Sequence, residues 1–267
     1  MHLSVSAACL AKRNHHPGSG FTDIGPRSRR SPNSLRITPP GAILARTHSS
    51  ERHPTVDRDF WLTRWQNNQI GFHEGVPNTL LVAHFAALGV PEGGRVFVPL
   101  CGKSSDMGWL RAQGFTVVGV ELSRLAVEQF FAELGLAPVV ESAGRLEWFA
   151  AAGVTVFVGD VFDLDAATLG PVDAVYDRAA LVALPEPLRG RYAAHVVAVS
   201  GAAPQLLLTF EYDQSCQKGP PFSVGEEEVR ALYGGAYRPE RAEARDVPGG
   251  LRGVCPARES AWVMRRR

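Results

Sequence analysis

The sequence predicts an α/β fold, a doubly wound and mostly parallel sheet with a helical lid on its N-terminal side. Short β-branched runs alternate with helical patterns over most of the chain, which implies right-handed crossovers and helices on both sheet faces. A strand-loop-helix unit opens at Arg95, and a second strand ends on an acidic residue at Glu121. With 267 residues and 45% hydrophobic content, one large domain can bury a full core. In such a sheet, ligands sit outside the carboxyl ends of the strands.

Residues 1–55 read as a leader and 56–267 as the folded domain. The first fifty residues hold seven Lys or Arg against one acidic residue, Asp23, with eight Ser, five Pro, four Gly and no sustained period. The composition is that of a disordered segment. A transit peptide is one alternative, although the prolines interrupt any continuous amphipathic helix; an upstream start or a tail without a role are others.

Order begins near Val56, where Asp57 is placed to cap a helix carrying Phe60, Trp61 and Trp65. Gln69 to Gly75 is a glycine-bracketed loop, and Asn78 to Leu88 is an amphipathic helix stopped by Gly89. Val96 to Val98 is an apolar strand broken by Leu100-Cys101-Gly102, after which a helix starts near Ser104 with Met107, Trp109 and Leu110 on its apolar side. Thr116 to Val120 is the next strand, and Ser123 caps a helix running to Leu134 with Gly135 beyond it. Val154 to Val158 is a strand ending at Asp160-Val161, and Val172 to Tyr176 a strand ending at Asp177-Arg178. A helix over Leu188 to Val199, a strand over Gln205 to Phe210 and a closing strand over Ser260 to Met264 complete the pattern.

Glu121 lies about twenty residues beyond the first strand-end loop, the spacing at which an acid meets a ribose diol. Gly102 is the only glycine in that loop, where a pyrophosphate cradle needs three. The cofactor that fits is S-adenosylmethionine, whose adenosine hydroxyls can donate to the carboxylate. Net charge is +1 and no basic stripe with interleaved aromatics appears in the folded part, which argues against a nucleic-acid partner. The four cysteines show no CxxC spacing and suit a reducing cytosol, without zinc or other metal. No apolar run reaches the roughly twenty residues that span a bilayer, so no membrane partner is expected.

Five ordered motifs carry a resemblance. They are Trp61-Leu-Thr-Arg-Trp65 with Gly71-Phe-His73, Pro99-Leu-Cys-Gly-Lys103, Val118-Gly-Val-Glu121 with Phe130-Phe131, Asp177-Arg-Ala-Ala-Leu-Val-Ala183, and Gly219-Pro-Pro-Phe222. From about Phe60 onward the chain resembles the thiopurine S-methyltransferase family of class I, Rossmann-like S-adenosylmethionine-dependent enzymes, which implies a seven-stranded sheet. The resemblance implies a lid at Trp61, Trp65 and their neighbours up to Phe72, with Phe72 also facing the substrate. It places Leu100 beside the methionine part of the cofactor, Glu121 at the ribose, Asp160 and Val161 at the adenine, and Arg178 in the active site, where it also meets the cofactor. Pro221 and Phe222 belong to a substrate-side loop. A second active-site arginine is expected near the C-terminus, with Arg252 the first candidate and Arg245 the alternative.

Methyl transfer from a sulfonium is an in-line displacement that needs no enzyme nucleophile, only a nucleophilic sulfur held in a dry pocket. Arg178, with Arg252, is expected to orient an acceptor thiolate and favour its ionised form rather than to act as a base. Asp177 is read as orienting Arg178, and Asp106 as complementing a helix dipole. The expected partner is a small aromatic or heterocyclic thiol, thiopurines included, met by a cytoplasmic monomer. Other soft nucleophiles such as aliphatic thiols, thiocyanate, selenium and tellurium species form a second reading. A nucleotide-binding oxidoreductase and a non-catalytic binding protein are the other classes.

Overall fold

The computed structural model describes residues 56–71 and 73–267, so the leader and Phe72 lie outside the described residues. Nine strands form one sheet in the order β3-β4-β5-β2-β1-β6-β7-β9-β8. Its centre is β1 (Arg95–Pro99), β2 (Thr116–Glu121), β5 (Val154–Val158), β6 (Ala174–Asp177) and β7 (Gln205–Tyr212), all parallel to their neighbours in this group. These strands read as continuous apolar runs because helices cover both faces. Alternate residues then enter two cores. Phe97, Val118, Val175 and Leu207 pack on one face with Tyr192 and Val196 of α6 (Glu186–Val199) and Val229 and Tyr233 of α7 (Glu226–Tyr233). Val96, Val98, Val117 and Leu206 pack on the other with Leu80 and Leu81 of α2 (Thr79–His84), Met107 and Leu110 of α3 (Ser105–Ala112), and Val127 and Phe130 of α4 (Arg124–Glu133). Each such aliphatic side chain taken fully out of water contributes about 1.5–3 kcal/mol.

The caps stand where the sequence places them. Asp57 accepts from Phe60 N at the start of α1 (Arg58–Gln66), Ser123 accepts from Ala126 N at the start of α4, and Gly89 ends the α2 segment at φ +69°. The expected count of seven strands is corrected to nine. The run from β5 through β2, β1, β6 and β7 to β9 (Ala257–Arg266) and β8 (Tyr237–Asp246) supplies seven, and an antiparallel hairpin, β3 (Val139–Ala143) and β4 (Leu146–Ala151), extends the β5 edge. The hairpin escapes a period-2 reading because Val139 and Val140 are both exposed. β8 is also invisible to hydrophobic patterning, for it pairs only with β9 and carries Arg238, Glu240, Arg241, Glu243 and Arg245. A charged outer strand of this kind guards a sheet edge against further pairing.

At the carboxyl ends the backbone turns sharply. Leu100 takes φ +47°, and Gly119 of β2 is bare because a Cβ there would stand 2.6 Å from Cys101 Sγ. No helix among the described residues is long and apolar enough to cross a membrane.

Candidate active site at the carboxyl edge of the sheet

Two groups of side chains meet the strand ends. The first surrounds Glu121, which is 6% exposed. Its Oε2 accepts from Gly102 N at 2.9 Å and its Oε1 from Ser123 N at 2.8 Å. Burial raises the carboxyl pKa, while the N–H groups of Ser123, Gly102 and Leu122 oppose the rise by favouring the carboxylate. The carboxylate, with about four lone-pair sites, retains acceptor capacity beyond these three backbone donors. Gly102 sits at φ +53°, and a Cβ there would lie 3.1 Å from the ring of Trp65, so α1 (Arg58–Gln66) rests directly on this turn. Trp65 is 4% exposed, and Trp61 meets Phe60 edge-on at 5.2 Å. Val161 is buried beside Asp160, whose Oδ1 accepts from Phe162 N at 3.0 Å and whose Oδ2 pairs with Arg58 at 3.3 Å.

The second group surrounds Arg178 at the end of β6. Its Nη2 lies 2.7 Å from Glu74 Oε2 and its Nη1 3.4 Å from Asp106 Oδ2. Asp106 is fully buried at the start of α3 and also accepts from Asn78 N at 2.7 Å and from the Tyr176 hydroxyl at 2.9 Å. Alongside, Phe222 N donates to Val182 O at 2.7 Å and the Tyr212 hydroxyl to Pro221 O at 2.6 Å. Arg252 Nη2 donates to Pro220 O at 2.7 Å, and Arg189 lies over the Phe222 ring at 5.5 Å. The loops after β6, after β7 and between β8 and β9 are thereby tied together. A family model described as thiopurine S-methyltransferase matches residues 56–267.

The chain belongs to the thiopurine S-methyltransferase family.

As a member of that family, it is an S-adenosylmethionine-dependent methyltransferase. Among its relatives, a thiopurine S-methyltransferase of Xanthobacter autotrophicus is 56% identical over 212 residues, spanning 79% of this chain and all of that protein. One from Gluconobacter oxydans is 52% identical over 203 residues, spanning 76% of this chain and 92% of that protein. Among solved structures, the Burkholderia thailandensis 1,6-didemethyltoxoflavin-N1-methyltransferase is similar in fold, with a TM-score of 0.54 at 17% identity over 78% of this chain and 87% of that one. A methyltransferase from Anabaena variabilis gives the same TM-score at 14% identity, over 78% and 95%.

The carboxyl edge fits the family's cofactor in its donor set: a buried carboxylate with spare acceptor capacity, and a bare turn at Gly102 that a side chain would fill. The structure brings Trp65, Glu121 and Gly102 together at the end of β2, and Arg178, Pro221 and Phe222 onto connected loops. Of the two candidate second arginines, Arg245 is engaged by Glu259 at 2.7 Å and by Thr79 Oγ1 at 2.6 Å. Arg252 is exposed in the loop between β8 and β9 and, after burial, is the second cause that lowers the pKa of Arg64.

Two sequence readings are corrected. Asp177 does not orient Arg178: successive strand residues face opposite ways, and Asp177 accepts from Leu181 N at 3.1 Å and from the Tyr192 hydroxyl at 2.7 Å. Asp106 does more than complement a helix dipole, for it holds Arg178 and Tyr176 from inside the core; no local pattern marks it, because its partners lie far along the chain. Glu74 was likewise invisible in a short loop. Cys101 packs as a buried residue whose thiol is pushed well up in pKa by burial and by the nearby Glu121 charge. Lys103 pairs with Glu133 at 2.6 Å.

Proposed function

We propose that this chain methylates the sulfur of small aromatic or heterocyclic thiols, thiopurines among them, acting as a cytoplasmic monomer through a domain spanning residues 56–267, with residues 1–55 a leader outside it. The observation that carries the reading is a buried carboxylate held by main-chain N–H groups at the end of β2, together with an arginine at the end of β6 held between Glu74 and Asp106. Relatives named thiopurine S-methyltransferase at about half identity support it. S-adenosylmethionine, when bound, supplies an electrophilic methyl carbon on a sulfonium. Glu121 would hold the ribose hydroxyls, Leu100 would flank the methionine part, Asp160 and Val161 would bracket the adenine, and Trp61 and Trp65 would exclude water.

On the acceptor side, Arg178 and Arg252 stabilise the thiolate form of the acceptor and aim its sulfur; neither takes the proton, because a guanidinium stays charged. Phe222, with Phe72, stacks against the acceptor ring. The test is transfer of a labelled methyl group to 6-mercaptopurine and thiophenols, with thiocyanate and selenite in the same panel. Methylated thiols establish the reading; label found only on thiocyanate or selenite replaces it with methylation of other soft nucleophiles.

A further inference from the structure

Arg178 is held by two carboxylates of unlike kind. Asp106 is fully buried, receives the backbone N–H of Asn78 and the Tyr176 hydroxyl, and has no route out of the core. Glu74 stands in the loop joining α1 to α2, its side chain is 52% exposed, and the loop is tied separately through the Glu74 backbone carbonyl, which accepts from Ser105 Oγ at 2.7 Å. The carboxylate can therefore swing away without dragging the loop.

We propose that Glu74 is a displaceable counter-ion that occupies Arg178 Nη2 until an anionic acceptor takes its place, and so sets how strongly the enzyme prefers ionised thiols over neutral ones. This rests on the reading of Arg178 as the acceptor-side arginine. An arginine offers five N–H donors in a fixed fork, and a carboxylate and a thiolate compete for the same edge of it. The surrounding charge strengthens the competition. Asp106, Glu74 and Glu259 all act on Arg178, and His73, lowered in pKa chiefly by burial, adds little positive charge. With Asp106 alone the guanidinium is neutralised once; with Glu74 also in place an incoming anion meets an excess of negative charge. Glu74 is a specificity-determining residue that acts through Arg178 rather than on the reacting atoms.

The experiment compares wild type, Glu74→Gln and Arg178→Met, using a nitrothiophenol that is ionised at the assay pH and an aliphatic thiol that is not. Glu74→Gln should lower KM for the ionised acceptor by about threefold, the scale of one partly exposed ion pair, and leave KM for the neutral thiol unchanged. Its kcat and its affinity for S-adenosylhomocysteine should stay at the wild-type values, and added salt should shrink the KM difference. An unchanged or raised KM for the ionised thiol, or a fall in kcat alone, overturns the proposal. If Arg178→Met leaves acceptor KM untouched, the acceptor-side reading of Arg178 falls and this inference with it. If Arg178→Met raises KM while Glu74→Gln does nothing, the Glu74 assignment alone is wrong.

Discussion

The two halves of the carboxyl edge are built differently. Around Glu121 the ties are short and made by the main chain: Gly102 N and Ser123 N fix a buried carboxylate at the end of a central strand. Around Arg178 the ties are long-range and made by side chains, joining Glu74, Asp106 and Tyr176 from three separate elements, while Arg252 reaches across to Pro220 from a loop between edge strands. Backbone ties at a sheet centre hold one shape, whereas exposed side-chain ties can be exchanged. With the roles proposed above, cofactor capture is built into the sheet, and acceptor choice is left to loops.

The largest expected effect tests the acceptor half. Arg178→Met should reduce kcat/KM for ionised thiols by about a hundredfold, the range found when one partner of a largely buried charge pair is removed, while S-adenosylhomocysteine affinity measured by calorimetry stays near wild type. Loss of cofactor affinity in that variant would show that the halves are not separable. On the cofactor side, Gly102→Ala sets a Cβ against the Trp65 ring at a positive φ, and should cost about 1–2 kcal/mol of stability in chemical denaturation together with weakened cofactor binding.

Asp177, buried next to Arg178 in the chain, gives a pH signature. Burial pushes its pKa up to about 6, against hydrogen bonds from Tyr192, Leu181 and Ala180 that favour ionisation. Because the folded value is raised, the stability it contributes is greatest in acid and is lost as pH rises through about 6. Relative to Asp177→Asn, the wild type should therefore gain about 1 kcal/mol in unfolding free energy between pH 7 and pH 5. A parallel pair of pH curves would show that the carboxyl does not titrate there. The smallest effect is at the surface: Arg58→Ala removes an exposed pair with Asp160 and should change stability by less than about 0.5 kcal/mol in thermal melts.

The cofactor half was legible in the sequence for the same reason that it is rigid. Its strand, turn, acid and cap are neighbours in the chain, so the apolar run at Val96 to Val98, the break at Gly102, Glu121 and the Ser123 cap could be read in order. The acceptor half was legible only where the family resemblance supplied Arg178 and Phe222. Asp106 and Glu74 acquire their meaning from contacts across the fold, and nothing in their local spacing announces them. Arg252 stood first and Arg245 second on sequence alone, and the β8 register, which sets Arg245 opposite Glu259, could not be read there. The strands at the sheet edges were missed because exposure and charge erase the hydrophobic period there.

The central claim is tested most directly by calorimetric titration of Glu121→Gln with S-adenosylhomocysteine, with melting curves confirming the fold. A glutamine must turn its NH2 toward either Gly102 N or Ser123 N and loses the charge that favours the ribose hydroxyls. The account predicts binding weaker by about tenfold to a hundredfold, corresponding to roughly 1.5–3 kcal/mol for hydrogen bonds to a charged group. An affinity equal to that of the wild type would contradict it.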